Sequence, residues 1–125
     1  MSIVKAESLL IADDDPNLLA AYVFFFGAYG YAIRTAGNGV DALAEYCTSR
    51  PVVVVLDIEM PRLDGRAVAR EIRRLNVSPA PFLVAVTALS SPYERAESIR
   101  SGFDYHFVKP AQLPVILAMI SARPR

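Results

Sequence analysis

Val52-Val53-Val54-Val55-Leu56-Asp57 decides the fold. Five apolar residues in a row, four of them β-branched, end at a carboxylate. A run this short and this apolar reads as a strand buried on both faces, which makes it central in a parallel sheet. The Arg50-Pro51 pair marks the break before it. Outward in both directions the pattern repeats. Ser8-Leu9-Leu10-Ile11-Ala12 is followed by Asp13, Asp14 and Asp15. Phe82-Leu83-Val84-Ala85-Val86 is followed by Thr87, and Tyr105-His106-Phe107-Val108 by Lys109. Residues 31–36 form a weaker strand interrupted by Arg34.

Helical periods fill the gaps. Asp15 is a candidate cap and Pro16 fits the first helical turn. Leu19, Tyr22, Val23 and Phe26 then recur at i, i+3, i+4 and i+7, a core stripe on a helix that runs to about Gly27. Further helices are predicted over 39–49, from Asp64-Gly65 to about Leu75, from Ser91-Pro92 to about Ser101 with Gly102 just past its end, and over 113–122. Pro61 and Ser78-Pro79-Ala80-Pro81 lie in loops. Five strands alternating with five helices dictate a doubly wound α/β fold, a five-stranded parallel sheet covered on both faces. Residues 1–125 read as a single domain with no internal repeat or linker.

Composition narrows the function. The chain is 54% hydrophobic and 21% charged, which excludes disorder. Lys plus Arg and Asp plus Glu number 13 each, so no global basic field draws it to nucleic acid or to an anionic membrane. The longest apolar stretch, residues 18–28, is far too short to span a bilayer. Residues 1–7 show no signal-peptide core, and residues 123–125 are too few for an output domain. The one cysteine, Cys47, reads as a small buried residue and fits a reducing cytoplasm. Arg66, Arg70, Arg73 and Arg74 read as a solvated basic strip on one helix rather than a nucleic-acid surface.

In an open α/β sheet, ligands bind outside the carboxyl ends of the strands. Asp13, Asp14, Asp57, Thr87 and Lys109 would therefore share one crevice. Carboxylate oxygens are hard ligands that suit Mg²⁺. An ammonium and a hydroxyl suit phosphate oxygens. Taken singly, each position has a plainer role: an acidic pair caps a helix, a threonine fills a turn, a lysine is solvated. Their convergence instead points to a metal-assisted phosphoryl acceptor.

Asp57-Ile58-Glu59-Met60-Pro61-Arg62-Leu63-Asp64-Gly65, the Asp13-Asp14 pair, Thr87-Ala88 and Lys109-Pro110 come in this order, each after a predicted strand. The set resembles the receiver domain of bacterial two-component response regulators over nearly the whole chain. That resemblance implies a flavodoxin-like sheet of strand order 2-1-3-4-5. It implies that Asp57 takes a phosphoryl group from a phosphohistidine on a histidine kinase or histidine phosphotransfer protein. Mg²⁺ would be held by Asp14, Asp57 and the backbone carbonyl of Glu59, with Asp13 acting through water. Lys109 would pair with phosphate, Thr87 would bind a phosphate oxygen, and Pro110 would follow a cis peptide. Such a domain is no enzyme in its own right, since it catalyses only its own phosphorylation and dephosphorylation.

Three positions depart from the commonest receiver pattern. His106 stands where an aromatic switch residue is usual, as a smaller or pH-sensitive ring or as a packed ring that never moves. Glu59 and Leu89 stand two after Asp57 and Thr87, and Leu89 cannot orient water, which argues against rapid self-dephosphorylation. Residues 102–109 resemble receivers fused to hybrid histidine kinases. Two other functions compete. A haloacid-dehalogenase-type phosphatase also uses Asp, Mg²⁺, Thr and Lys, but it wants Asp where Glu59 stands and its acidic pair after the lysine. A receiver reduced to a protein-contact module would not need the intact site. Two partner surfaces are also expected: Phe24 and Phe25 off the core stripe of the first helix, and Val115 with Met119 beside the core stripe of the last, Leu113, Ile116, Leu117 and Ile120.

Overall fold

A computed structural model describes residues 6–124. Most of the leader reading, on residues 1–5, and the last residue of the tail lie outside that range. The elements are β1 (Ser8–Ala12), α1 (Pro16–Gly27), β2 (Ala32–Ala36), α2 (Gly39–Ser49), β3 (Val53–Leu56), α3 (Gly65–Arg74), β4 (Phe82–Thr87), α4 (Pro92–Ser101), β5 (Tyr105–Val108) and α5 (Leu113–Ser121). The boundaries fall within a residue of those expected from the sequence. The sheet is parallel throughout, in the order β2-β1-β3-β4-β5.

The strands sort their side chains by alternation. Leu9, Ile11, Val53, Val55, Val84 and Val86 pack with Tyr22, Phe26, Ile116 and Ile120 of α1 and α5. Leu10, Ala12, Val54, Leu56, Leu83 and Ala85 pack with Ala42, Tyr46, Val68, Ala69 and Ile72 of α2 and α3. Each fully buried Leu, Ile or Val contributes about 1.5–3 kcal/mol over an exposed one. The central run is thus buried from both sides over 53–57, as its composition requires, while Val52, expected to open the strand, lies just before it and is exposed.

Local signals end the helices where the sequence places them. Asp15 caps α1 by accepting from the Asn17 N–H at 2.9 Å, and Asp64 caps α3 by accepting from the Ala67 N–H at 2.9 Å. Gly102 closes α4 with φ +114°, a left-handed conformation that glycine adopts without strain.

Three sequence expectations are corrected. Val23 is 44% exposed rather than in the α1 core, because Leu18 and Phe25 fill that face beside Tyr22 and Phe26. Cys47 is exposed, since the buried stripe of α2 passes through Gly39, Ala42 and Tyr46. The arginines of α3 are not simply a solvated strip. Arg66 bonds the Glu94 backbone carbonyl, the Glu94 carboxylate and Ser98. Arg73 bonds the carbonyls of Pro81 and Gly102 and the Asp104 carboxylate. Arg70 reaches Ser101 at 3.3 Å, and Arg74 pairs with Glu71 on its own helix. A short helix facing another short helix can bury guanidinium stems and still satisfy most of their donors, Arg66 Nε being the exception.

Candidate functional site

Parallel strands bring their carboxyl ends to one edge, so the groups that follow β1, β3, β4 and β5 meet there. The Asp57 N–H donates to the Ala12 carbonyl at 2.9 Å, and the Lys109 N–H to the Thr87 carbonyl at 2.8 Å. These bonds extend the ladder one residue past each strand and fix where the functional side chains start. The Lys109-Pro110 peptide is cis, as expected.

Asp13, Asp14 and Asp57 each offer a carboxylate oxygen to a cluster in which those atoms lie within 4.8 Å of one another. Asp13 and Asp57 are buried, while Asp14 is exposed. The Lys109 ammonium donates to Asp13 Oδ2 at 2.8 Å and to Asp57 Oδ2 at 2.9 Å. Asp13 Oδ1 accepts from the Asp15 N–H at 2.9 Å, and Asp57 Oδ1 from the Glu59 N–H at 3.2 Å. One ammonium, bonded to two of the three carboxylates, leaves excess negative charge in the cluster. Burial pushes the Asp57 carboxyl above its ordinary pKa of 3.8, and the Lys109 contact only partly offsets this. Burial works against the Lys109 ammonium, but the bonds to Asp13 and Asp57 prevail and raise its pKa above 10.5. Hard oxygen donors packed with surplus charge are what a divalent cation relieves, so the residues present fit Mg²⁺.

Thr87 closes β4 and is fully buried; its Oγ1 accepts from the Leu89 N–H at 3.4 Å. It stands on the strand beside Asp57, with no hydrogen bond to the carboxylates among the described residues. His106 is buried on β5 with both nitrogens bonded, Nε2 to the Leu89 carbonyl at 2.7 Å and Nδ1 to Ser98 Oγ at 2.8 Å. A carbonyl only accepts, so Nε2 carries the proton and Nδ1 accepts from the serine. Burial, reinforced by Arg95 and Arg66, holds its pKa below 6.5 against the pull of the Leu89 carbonyl and Glu94. His106 is therefore neutral at pH 7.

Sequence reasoning missed three positions. Gly65 packs its Cα against the Asp57 backbone, and Gly39 packs against Leu63 in the loop that leaves Asp57. Asp-Gly and Asn-Gly pairs signal turns, not close backbone approach. Ser98 is the third: a serine in a polar helix carries no sign of burial. A cavity of about 860 Å³, lined by Tyr46, Pro51, Phe82 and Phe103 among others, opens at the amino ends of the strands and shares no residue with the acidic cluster.

A doubly wound sheet with three carboxylates and a lysine at its carboxyl edge defines a class of phosphoacceptor domains. The family model of the response regulator receiver domain matches residues 9–121, and the chain belongs to that family. It is 37% identical over 114 residues to the response regulator MprA of Mycobacterium sp. (strain KMS), covering 91% of this chain and 49% of that protein. It is 34% identical over 119 residues to the transcriptional regulatory protein PrrA of Mycobacterium tuberculosis, covering 95% of this chain and 50% of that one. The chain thus spans about half the length of the curated relatives it matches. Among solved structures it resembles the receiver domain of the Francisella response regulator 1452, with TM-score 0.86 and 27% identity over 92% of this chain and 93% of that one. It also resembles the BeF3-activated DrrB receiver domain, with TM-score 0.84 and 25% identity over 94% and 96%. The family and its fold disfavour the phosphatase and contact-module readings.

Proposed function

We propose that Asp57 accepts a phosphoryl group from a phosphohistidine on a histidine kinase or histidine phosphotransfer protein. An Asp57 carboxylate oxygen forms the new bond to phosphorus as the phosphorus–nitrogen bond breaks, and the imidazole leaves with the electron pair. The observation that carries this reading is the contact of Lys109 with both Asp13 and Asp57 at 2.8 and 2.9 Å, a cation placed where a phosphoryl oxygen must be neutralised. Asp14, Asp57 and the Glu59 carbonyl would hold Mg²⁺. Asp13 would act through water, as the likeness to receiver domains implies. Bound Mg²⁺ supplies charge neutralisation for the transferring group. Thr87 then binds a phosphate oxygen, and His106, bonded to both Leu89 and Ser98, links that change to α4 and the α4–β5–α5 surface. The chain works as one receiver unit, with no turnover beyond its own phosphorylation and dephosphorylation.

The metal assignment has a direct test. Asp14→Ala removes an exposed carboxylate that repels its neighbours. Titration followed by calorimetry should show Mg²⁺ binding lost, while the melting temperature stays level or rises. A large fall in melting temperature would contradict the repulsion account.

The phosphodonor docks on α1. Phe24 is 85% exposed, whereas Phe25 packs edge-on against Phe26 at 5.2 Å and belongs to the core. Phe24→Ala should slow transfer from the cognate phosphohistidine protein about tenfold, as loss of an aromatic anchor does. Labelling by acetyl phosphate should not change. Equal slowing with both donors would remove α1 from the docking surface.

The outer face of α5 is the surface for a partner domain or a second copy. Val115 is 51% exposed and Met119 half-buried, and the described part of the helix carries no charge. Glutamate at both positions should weaken self-association or partner binding in sedimentation. If both survive, the stripe is only surface. The balanced charge and the engaged arginines of α3 favour protein partners over direct nucleic-acid contact. No described helix is long and apolar enough to cross a membrane, in keeping with action in the cytoplasm. The leaning towards receivers fused to hybrid kinases rests on residues 102–109 alone.

A further inference from the structure

Arg66 is held in a way that packing for stability does not explain. It follows Gly65 in the first turn of α3, with its side chain 17% exposed. A single nitrogen, Nη2, serves three acceptors on α4: the Glu94 carbonyl at 2.8 Å, the Glu94 carboxylate at 3.2 Å and Ser98 Oγ at 3.4 Å. Its Nε is buried with no partner. A guanidinium bound for stability spreads its donors over a fork. A buried donor left unmade costs free energy and calls for a reason.

The contact runs onward in one direction. Ser98 Oγ donates to His106 Nδ1 at 2.8 Å, and His106 Nε2 donates to the Leu89 carbonyl at 2.7 Å. The Leu89 N–H in turn donates to Thr87 Oγ1. Both peptide groups flanking Leu89 are therefore tied, one to the threonine and one to α4 through the imidazole. The α3 end of the chain cannot yield. The Gly65 N–H donates to the Ile58 carbonyl at 2.8 Å, and a Cβ on Gly65 would lie 2.2 Å from the Asp57 carbonyl oxygen. The other end of the path is the start of α4 and the loop before it.

We propose that Arg66 is a positioning residue for phosphoryl uptake: by gripping Glu94 and Ser98 it holds α4 and the Leu89 carbonyl in the resting place, which keeps Thr87 bonded to Leu89 and away from Asp57. The inference rests on the reading of Asp57 as acceptor and Thr87 as phosphate ligand. Thr87 can swing to a phosphoryl oxygen only by stretching an already long bond or by carrying the loop with it, and the loop follows only if α4 releases Arg66. His106 is then a fixed post in this path, since its ring is already inside and doubly bonded. A contact made only at rest opposes the other state, and its removal favours that state.

The test compares rates of labelling by acetyl phosphate with Mg²⁺, read by intact-mass spectrometry, in Arg66→Ala, Ser98→Ala, Thr87→Ala and the two doubles with Thr87→Ala. Arg66→Ala should label about fivefold faster, the worth of a partly exposed ion pair. Its Mg²⁺ affinity should be unchanged, and the gain should vanish in the Thr87→Ala background. Ser98→Ala cuts the path to His106 but spares the Arg66–Glu94 pair, so it should give a smaller gain, and it decides the matter should Arg66→Ala not fold. Unchanged or slower labelling, or a gain that persists without Thr87, overturns the proposal. If the unsubstituted chain takes no phosphoryl group on Asp57, the acceptor reading falls and this one with it; labelling indifferent to both variants sinks this one alone.

Discussion

Asp57→Asn will leave the chain unlabelled by acetyl phosphate and Mg²⁺, where the unsubstituted chain gains one phosphoryl group per molecule by intact-mass spectrometry. The amide keeps the shape of the carboxylate but has no anionic oxygen to form the bond to phosphorus as acetate leaves. Lys109 keeps its bond to Asp13, so the crevice holds together. The fold should not suffer. Burial raises the Asp57 pKa in the folded chain, so folding favours its neutral form. The stability this gives is fully present below the unfolded value of 3.8 and is lost as pH rises through the raised folded value. At neutral pH a neutral amide therefore removes a repulsion, and the variant should melt no lower than the original. Full labelling of Asp57→Asn would place the acceptor elsewhere.

Gly39→Ala will destabilise the chain by about 3 kcal/mol, the upper range for overpacking, and lower its melting temperature by roughly 10 °C. Gly39 opens α2 against the loop that descends from Asp57. A Cβ there would lie 1.7 Å from the Leu63 carbonyl oxygen and 2.5 Å from its carbon. Both are backbone atoms, and no side chain can rotate away to make room. The loop must shift, and with it the Asp57–Asp64 segment, so labelling should slow as well. Gly37→Ala is the control, since a Cβ there meets nothing within 4 Å. If thermal melts by circular dichroism place the two variants within a degree or two of each other, the close approach at Gly39 is not rigid.

These two variants differ in what a reader of the sequence could have known. Asp57 is legible because a carboxylate ending a five-residue apolar run has few other meanings, and because Asp13, Asp14, Thr87 and Lys109 repeat the placement. Gly39 is not legible. Asn38-Gly39 reads as a turn followed by a helix start, and nothing in the pair tells that a loop 24 residues on, at Leu63, will lie against it. The α1 stripe failed in part for a related reason. Leu18, Leu19, Val23 and Phe25 compete for one face at similar hydrophobicity, and only the position of the sheet decides that Phe25 turns in and Val23 stays out.

By itself the sequence determined the elements, their alternation, the parallel sheet and the convergence of the acidic groups, because periodicity, caps and strand-end positions are local and are written residue by residue. Tertiary structure alone decided which arginines of α3 are engaged, that Cys47 faces solvent and that His106 is locked between Leu89 and Ser98. Those outcomes depend on how two short helices and a loop, distant in the chain, come to lie side by side. A guanidinium or a serine hydroxyl is equally at home in water or against a buried carbonyl, so its residue type says nothing until the neighbour is in place.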